Sequence, residues 1–168
     1  MRRQTAIFLG LGVLILATVI GIWVLTKPNL RPVTFPPVIE AEIYVGPQRI
    51  KRVLTPDEVK IVAEWIKNNQ GGWTSLHKNP PSTGDAELRI NQHIDPASYA
   101  DKSEGQKPYP FMLTLWLGIH EADWNNQIFY EIPHGDVSQV VIKNCSDRDF
   151  QPLRTLVDQY PYENSPYP

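Results

Sequence analysis

Residues 111–119 read FMLTLWLGI. In an extended chain Phe111, Leu113, Leu115, Leu117 and Ile119 share one side, and Met112, Thr114, Trp116 and Gly118 share the other. Both sides are largely apolar, the pattern of a strand covered on both faces, so this segment predicts the middle of a sheet. Downstream, 128–132 and 137–143 are two further strand-like runs, joined by the turn Pro133-His134-Gly135-Asp136. Connections this short join antiparallel neighbours, so the last three runs read as a meander.

Upstream, 86–94 alternates, with Leu88 and Ile90 on one face. The run 38–45 alternates more cleanly. Ile39, Ala41, Ile43 and Val45 oppose Glu40, Glu42 and Tyr44, a half-buried strand. Gly46-Pro47 breaks it, and 49–54 returns as the second arm of a hairpin.

Two helices punctuate these strands. Thr55-Pro56-Asp57-Glu58 carries a capping threonine, a proline suited to the first helical position and a glutamate that closes a capping box. Val59, Val62, Ala63 and Ile66 follow at helical spacing, widened by Ile61 and Trp65, and predict a helix from 56 to about 69. The second runs from about 149 to 160. Its apolar side is Phe150, Leu153, Leu156, Val157 and Tyr160, with Pro152 in the first turn and Pro161 as the stop. Strands in runs with few helices predict an α+β domain, an antiparallel sheet of about five or six strands with two helices packed on it.

One transmembrane helix is expected before this domain. Residues 5–26, TAIFLGLGVLILATVIGIWVLT, hold no charge and would reach about 33 Å as a helix, against a hydrocarbon core of about 30 Å. Arg2 and Arg3 precede it, which places the short N-terminus 1–4 in the cytoplasm and the domain outside. A cleaved leader would have a shorter apolar core ending in a small-x-small site, and no such triplet follows. Residues 27–37, KPNLRPVTFPP, read as a proline-rich extended spacer, 38–161 as the extracytoplasmic domain and 162–168 as a loose tail.

All 18 acidic residues and 14 of the 16 basic ones lie beyond residue 26, a formal charge of −4 that argues against a nucleic-acid partner. A single cysteine, Cys145, excludes an internal disulfide framework and any CxxC site. It follows an apolar strand, the setting of a small buried hydrophobe rather than a nucleophile. Asn144-Cys145-Ser146 matches a glycosylation sequon, but Ser146 or Asp149 as a helix cap is the simpler role.

Chemistry-bearing motifs are sparse. His120-Glu121-Ala122-Asp123 is the densest group of acid–base residues, yet it lacks the second histidine of a zinc-binding HExxH. His134-Gly135-Asp136 suits a turn, and His93 reads as a solvated histidine at a strand end. No metal site and no cofactor are expected. The segments 70–85 and 95–110 exceed usual loop lengths and carry aromatics. Trp73, Tyr99, Tyr109 and Trp124 are therefore the candidates for contact with a partner, because rigid aromatic area dominates binding hot spots.

The expectation is a single-pass protein of a bacterial plasma membrane whose periplasmic domain binds another protein. An immunity-type inhibitor or an accessory subunit of an envelope complex would fit. The alternatives are an envelope hydrolase using His120, Glu121 and Asp123, and a sensor of small ligands.

Overall fold

The computed structural model describes residues 2–26, 32–46, 48–76, 84–118, 125–134 and 137–158; at 2, 3, 5, 6, 24–26, 104, 133, 134, 137 and 138 it describes the backbone alone. The chain divides into two units, Met1–Arg31 and Pro32–Pro168.

The first unit is helix α1, Arg2–Thr26. Its apolar side chains are exposed on every side: Ile7, Phe8 and Leu9 are successive, about 100° apart, and 69%, 73% and 70% exposed. The described side chains run from 7 to 23, about 26 Å of helix. Among the described residues no helix is long and apolar enough to cross a membrane. The transmembrane segment expected at 5–26 is thus helical in backbone but not established as a span by the fold.

The second unit is α+β. Its elements are β1 (Ala41–Val45), β2 (Ile50–Val53), α2 (Pro56–Asn68), β3 (Thr74–Ser75), β4 (Ala86–Ile90), β5 (Phe111–Leu117), β6 (Asn125–His134), β7 (Val137–Asn144) and α3 (Asp147–Asp158). They build one antiparallel sheet in the order β2-β1-β4-β5-β6-β7-β3. The stretch 111–117 lies in the middle of that order, where its two apolar faces predict it.

Alternation sorts the strands into two faces. Ala41, Ile43 and Val45, Leu88 and Ile90, Leu113 and Leu115, and Ile128 and Tyr130 are buried and in register across neighbouring strands. They share a core with Val62, Trp65 and Ile66 of α2 and with Phe150, Leu153, Leu156 and Val157 of α3. The α2 capping box forms as predicted: Glu58 N–H donates to Thr55 Oγ1 at 3.4 Å and Thr55 N–H to Glu58 Oε2 at 2.8 Å. Trp65 packs inward while its indole N–H donates to the Asp149 carbonyl at 2.6 Å, tying α2 to α3.

Four details differ from expectation. The sheet has seven strands because Thr74–Ser75, inside the expected loop 70–85, pairs with β7 at Ile142 and Val141. Trp73 is the reason: it is buried at the core's edge and leads the chain alongside β7. Strand β4 ends at Ile90, short of 94, because Asn91 turns the backbone to φ 57°. Helix α3 starts at Asp147, capped by Ser146, whose Oγ accepts from Asp149 N–H at 3.2 Å. Pro152 therefore falls in the second turn and leaves the Arg148 carbonyl without its usual i+4 donor. Finally, the proline-rich segment is not all spacer. Val33 N–H donates to the Gln70 carbonyl at 2.8 Å, and Phe35 is a core residue whose ring lies 4.7 Å from that of Tyr130. The ends expected at Tyr160 and Pro161, and the tail 162–168, lie outside the described residues.

Candidate functional site

The face of the sheet turned away from α2 and α3 carries the charges. Strands β1, β2 and β4 read AEIYV, IKRV and AELRI, and in each the residues between the core positions point to this face. Glu42 and Tyr44 come from β1, Lys51 and Val53 from β2, Glu87 and Arg89 from β4. Pairing stacks them side by side: Tyr44 faces Lys51 on one flank and Glu87 on the other.

Two carboxylates form the base of this cluster. Glu42 and Glu87 are only 5% and 7% exposed. Glu42 Oε1 meets Lys51 Nζ at 2.8 Å and His93 Nε2 at 2.7 Å, and its Oε2 accepts from the Tyr44 hydroxyl at 3.1 Å. Glu87 Oε2 accepts from Arg89 at 3.0 Å, and its Oε1 pairs with Arg49 at 3.3 Å. The Arg89 guanidinium lies over the Tyr44 ring, 4.2 Å from its centroid, a cation–π contact.

Burial alone would raise the Glu42 carboxyl, but hydrogen bonds from Lys51, His93 and Tyr44 outweigh it and hold the group below the ordinary carboxylate range. The same bond to Glu42 raises the Lys51 ammonium. The anions are thus beneath and the cations outside. The side chains of Lys51 and Arg89 are 45% and 42% exposed, against 7% and 9% for Glu42 and Glu87. Each of these cations is paired with one of the two carboxylates, so the patch holds fixed, compensated charge.

Among the described residues, strand β2 is an edge of the sheet. Leu54 N–H donates to the Ala41 carbonyl at 2.9 Å, and antiparallel ladders alternate between pairs that exchange hydrogen bonds and pairs that do not. By that alternation Arg52 and Ile50 bond to β1, while the N–H and C=O groups of Lys51 and Val53 point away from the sheet. Ile50 and Val53 on this edge are 45% and 63% exposed.

The other half of this face is aromatic and is not open. Trp116 and Phe129 are buried, ring centroids 6.0 Å apart. Gly84 closes against this half with φ 77°; a Cβ there would come within 2.4 Å of Thr114 Cγ2 and 3.0 Å of the Leu115 carbonyl. On the helical side, a groove of about 400 Å³ runs between α2 and α3, with Trp65 in its wall beside Ile61, Glu64, Asn68, Arg148 and Pro152.

The aromatics expected at a partner surface fall in different places. Trp73 is 3% exposed, its indole N–H donating to the Asn69 carbonyl at 2.8 Å and its ring 5.6 Å from Phe35. It belongs to the core and offers no surface. Tyr99 ends a short 3-10 turn, Pro96–Tyr99, and is half-buried. Tyr109 is 39% exposed and packs edge-on against Phe111. Trp124, His120, Glu121 and Asp123 lie outside the described residues, as does His77, and of His134 only the backbone is described. Cys145 is half-buried, and burial pushes its thiol up to about 11, the opposite of an activated nucleophile. No group of three potential metal ligands converges among the described residues.

His93, read as a solvated side chain, is 61% exposed and also meets Glu42. Its partner is 51 residues away and is reached only because β1 and β4 pair. The outward positions of the three strands did carry a usable signal, since each holds a charged residue exactly where a half-buried strand exposes one. No protein family, curated protein or solved structure matches the chain.

Proposed function

We propose that the chain is a single-pass membrane protein, N-terminus cytoplasmic, whose α+β domain works outside the cytoplasm by binding another protein through the open face of its sheet. The observation that carries the anchor is α1. A helix apolar on all sides belongs either in a protein core or in lipid. Here the apolar side chains are exposed right round the helix, and Thr18 Oγ1 turns back to the Leu14 carbonyl at 2.9 Å, as a hydroxyl in hydrocarbon must. The backbone is helical through the whole of the uncharged run 5–26.

The cation layer on buried carboxylates supports the binding role. Such an arrangement holds charged heads in fixed places at a partner's approach, and fixed charge confers orientation and association rate. A sensor of small ligands is favoured by the groove between α2 and α3, and it stands second because that groove is lined largely by surface polar groups. The hydrolase reading rests on His120, Glu121 and Asp123 alone.

Two measurements test the proposal. Alkaline carbonate extraction should leave the full chain in the membrane pellet; release into the supernatant refutes the anchor. Photo-crosslinking residues placed at 89 and 93 should each give an adduct with the same single protein in native membranes, and one placed at 61 in the groove should not. Adducts from 61 alone, or from none of the three, refute the open face as the contact surface.

A further inference from the structure

The outer edge of β2 carries more information than its exposure. The N–H and C=O groups of Lys51 and Val53 point outward in the spacing that an added strand uses. The side chains beside them are apolar, basic and apolar in turn. Ile50 lies on the helical face, and Lys51 and Val53 lie on the open face. The Lys51 ammonium has three donors, directs one at Glu42 and is 45% exposed, so it has donors left for a second carboxylate.

Lysine on an edge commonly blocks sheet-to-sheet association, and against a second copy of this chain it does so here. The antiparallel register that uses the outward groups of both copies sets each Lys51 opposite the other copy's Val53, so neither ammonium gains a carboxylate. An incoming acidic strand meets the opposite situation, because Lys51 lies at the edge with donors beyond the one it gives Glu42.

Resting on the binding-domain reading above, we infer that β2 is the receptor strand for an extended acidic segment of another protein. The segment adds to the sheet through main-chain hydrogen bonds to Lys51 and Val53. It sets its carboxylates along the open face, one of them against Lys51, and its apolar side chains along the helical face against Ile50.

The test uses the full chain in lipid nanodiscs and three labelled peptides of about eight residues, the length of an ordinary strand. One alternates Glu and Val, one alternates Lys and Val, and one is the Glu-Val peptide with alternate amides N-methylated. The Glu-Val peptide should bind. The Lys-Val peptide should bind at least about tenfold more weakly, since like charges across an interface repel. N-methylation on the edge-facing amides should abolish binding. Val53→Pro removes an outward N–H without removing a bond to β1, and should abolish binding while the melting curve shows a folded domain. Lys51→Gln should weaken binding about two- to fivefold, the range of one cross-strand charge pair.

Equal binding of the Glu-Val and Lys-Val peptides, indifference to N-methylation, or no binding at millimolar peptide overturns the inference. So does a dimer, seen by light scattering, that Val53→Pro dissociates, because the occupant is then a second copy. Failure of the two readings is separable. If adducts persist from positions 89 and 93 while no peptide binds, the edge is excluded and the binding domain stands. If the adducts are missing as well, both fall.

Discussion

The imidazole of His93 meets the Glu42 carboxylate at 2.7 Å, and the same oxygen takes the Lys51 ammonium at 2.8 Å. A histidine just beyond the end of β4, a glutamate on β1 and a lysine on β2 thus converge on one atom. The main-chain amide of His93 also donates to Glu40, so the segment after β4 is fastened to β1 at two points.

The exposure of His93 sets the size of its contribution. With the imidazole protonated and its side chain 61% exposed, the pair should resemble a surface ion pair. A double-mutant cycle of His93→Ala and Glu42→Gln should give a coupling of about 0.2–1 kcal/mol that shrinks as salt is raised. A coupling several times larger, or one insensitive to salt, would show that the contact is drier than its exposure implies.

Asn91 should matter more. It is fully buried; its Oδ1 accepts from Ile39 N–H at 2.9 Å, and its Nδ2 donates to the carbonyls of Pro37 at 2.8 Å and Tyr109 at 3.3 Å. It also sits at φ 57°, a conformation asparagine and glycine tolerate best. Asn91→Gly keeps the backbone and loses the bonds, and should cost about 1–3 kcal/mol in denaturant unfolding. Asn91→Ala adds the left-handed strain and should cost about 1 kcal/mol more. Equal losses in the two variants would mean that the strain is relieved by a backbone shift.

Trp73 separates a core role from a contact role. Its ring packs on Phe35 and Tyr130 with centroid distances of 5.6 and 6.3 Å. Trp73→Ala should destabilise by about 3–5 kcal/mol, as truncation of a buried aromatic does. Trp73→Phe should recover most of that loss while giving up the bond to the Asn69 carbonyl. Partner crosslinking in Trp73→Phe should match that of the parent chain. A loss of crosslinking without a loss of stability would return Trp73 to the surface.

The sequence patterns that transfer to the fold are those set by local physics. Thr55, Pro56 and Glu58 cap α2 because capping needs only residues three apart. The central position of 111–117 follows from two apolar faces. What local reading cannot supply is pairing between distant strands. Nothing near Glu42 announces that β1 lies between β2 and β4, and without that order Glu42, Lys51 and His93 are three unrelated polar residues. Trp73 was misplaced for a related reason. Its flanking Gly71 and Gly72 suggest a loop, while its burial depends on Phe35, 38 positions earlier in a segment that reads as spacer.

Two lowered carboxyls fix how the domain responds to acid. Glu42 is held below its ordinary range by Lys51, His93 and Tyr44 against the opposing effect of burial. Glu58 is held down by Arg52 at 2.7 Å and by the Thr55 N–H and hydroxyl, again against burial. In the unfolded chain both titrate near about 4.3. A group whose folded value is depressed stabilises the fold fully above its unfolded value, because the ionised form is the one the native contacts favour. That contribution is lost as pH falls through the folded values, below the ordinary carboxylate range. Stability should therefore be level from neutrality down to about pH 5 as far as these two groups are concerned, then decline on further acidification. Glu42→Gln and Glu58→Gln should each lower stability at pH 7 and flatten the decline below pH 4. The acid limb of the double variant should be flatter than either. Urea unfolding from pH 7 to pH 2.5 measures this directly. An unchanged acid limb in both variants would assign the acid sensitivity to other carboxylates.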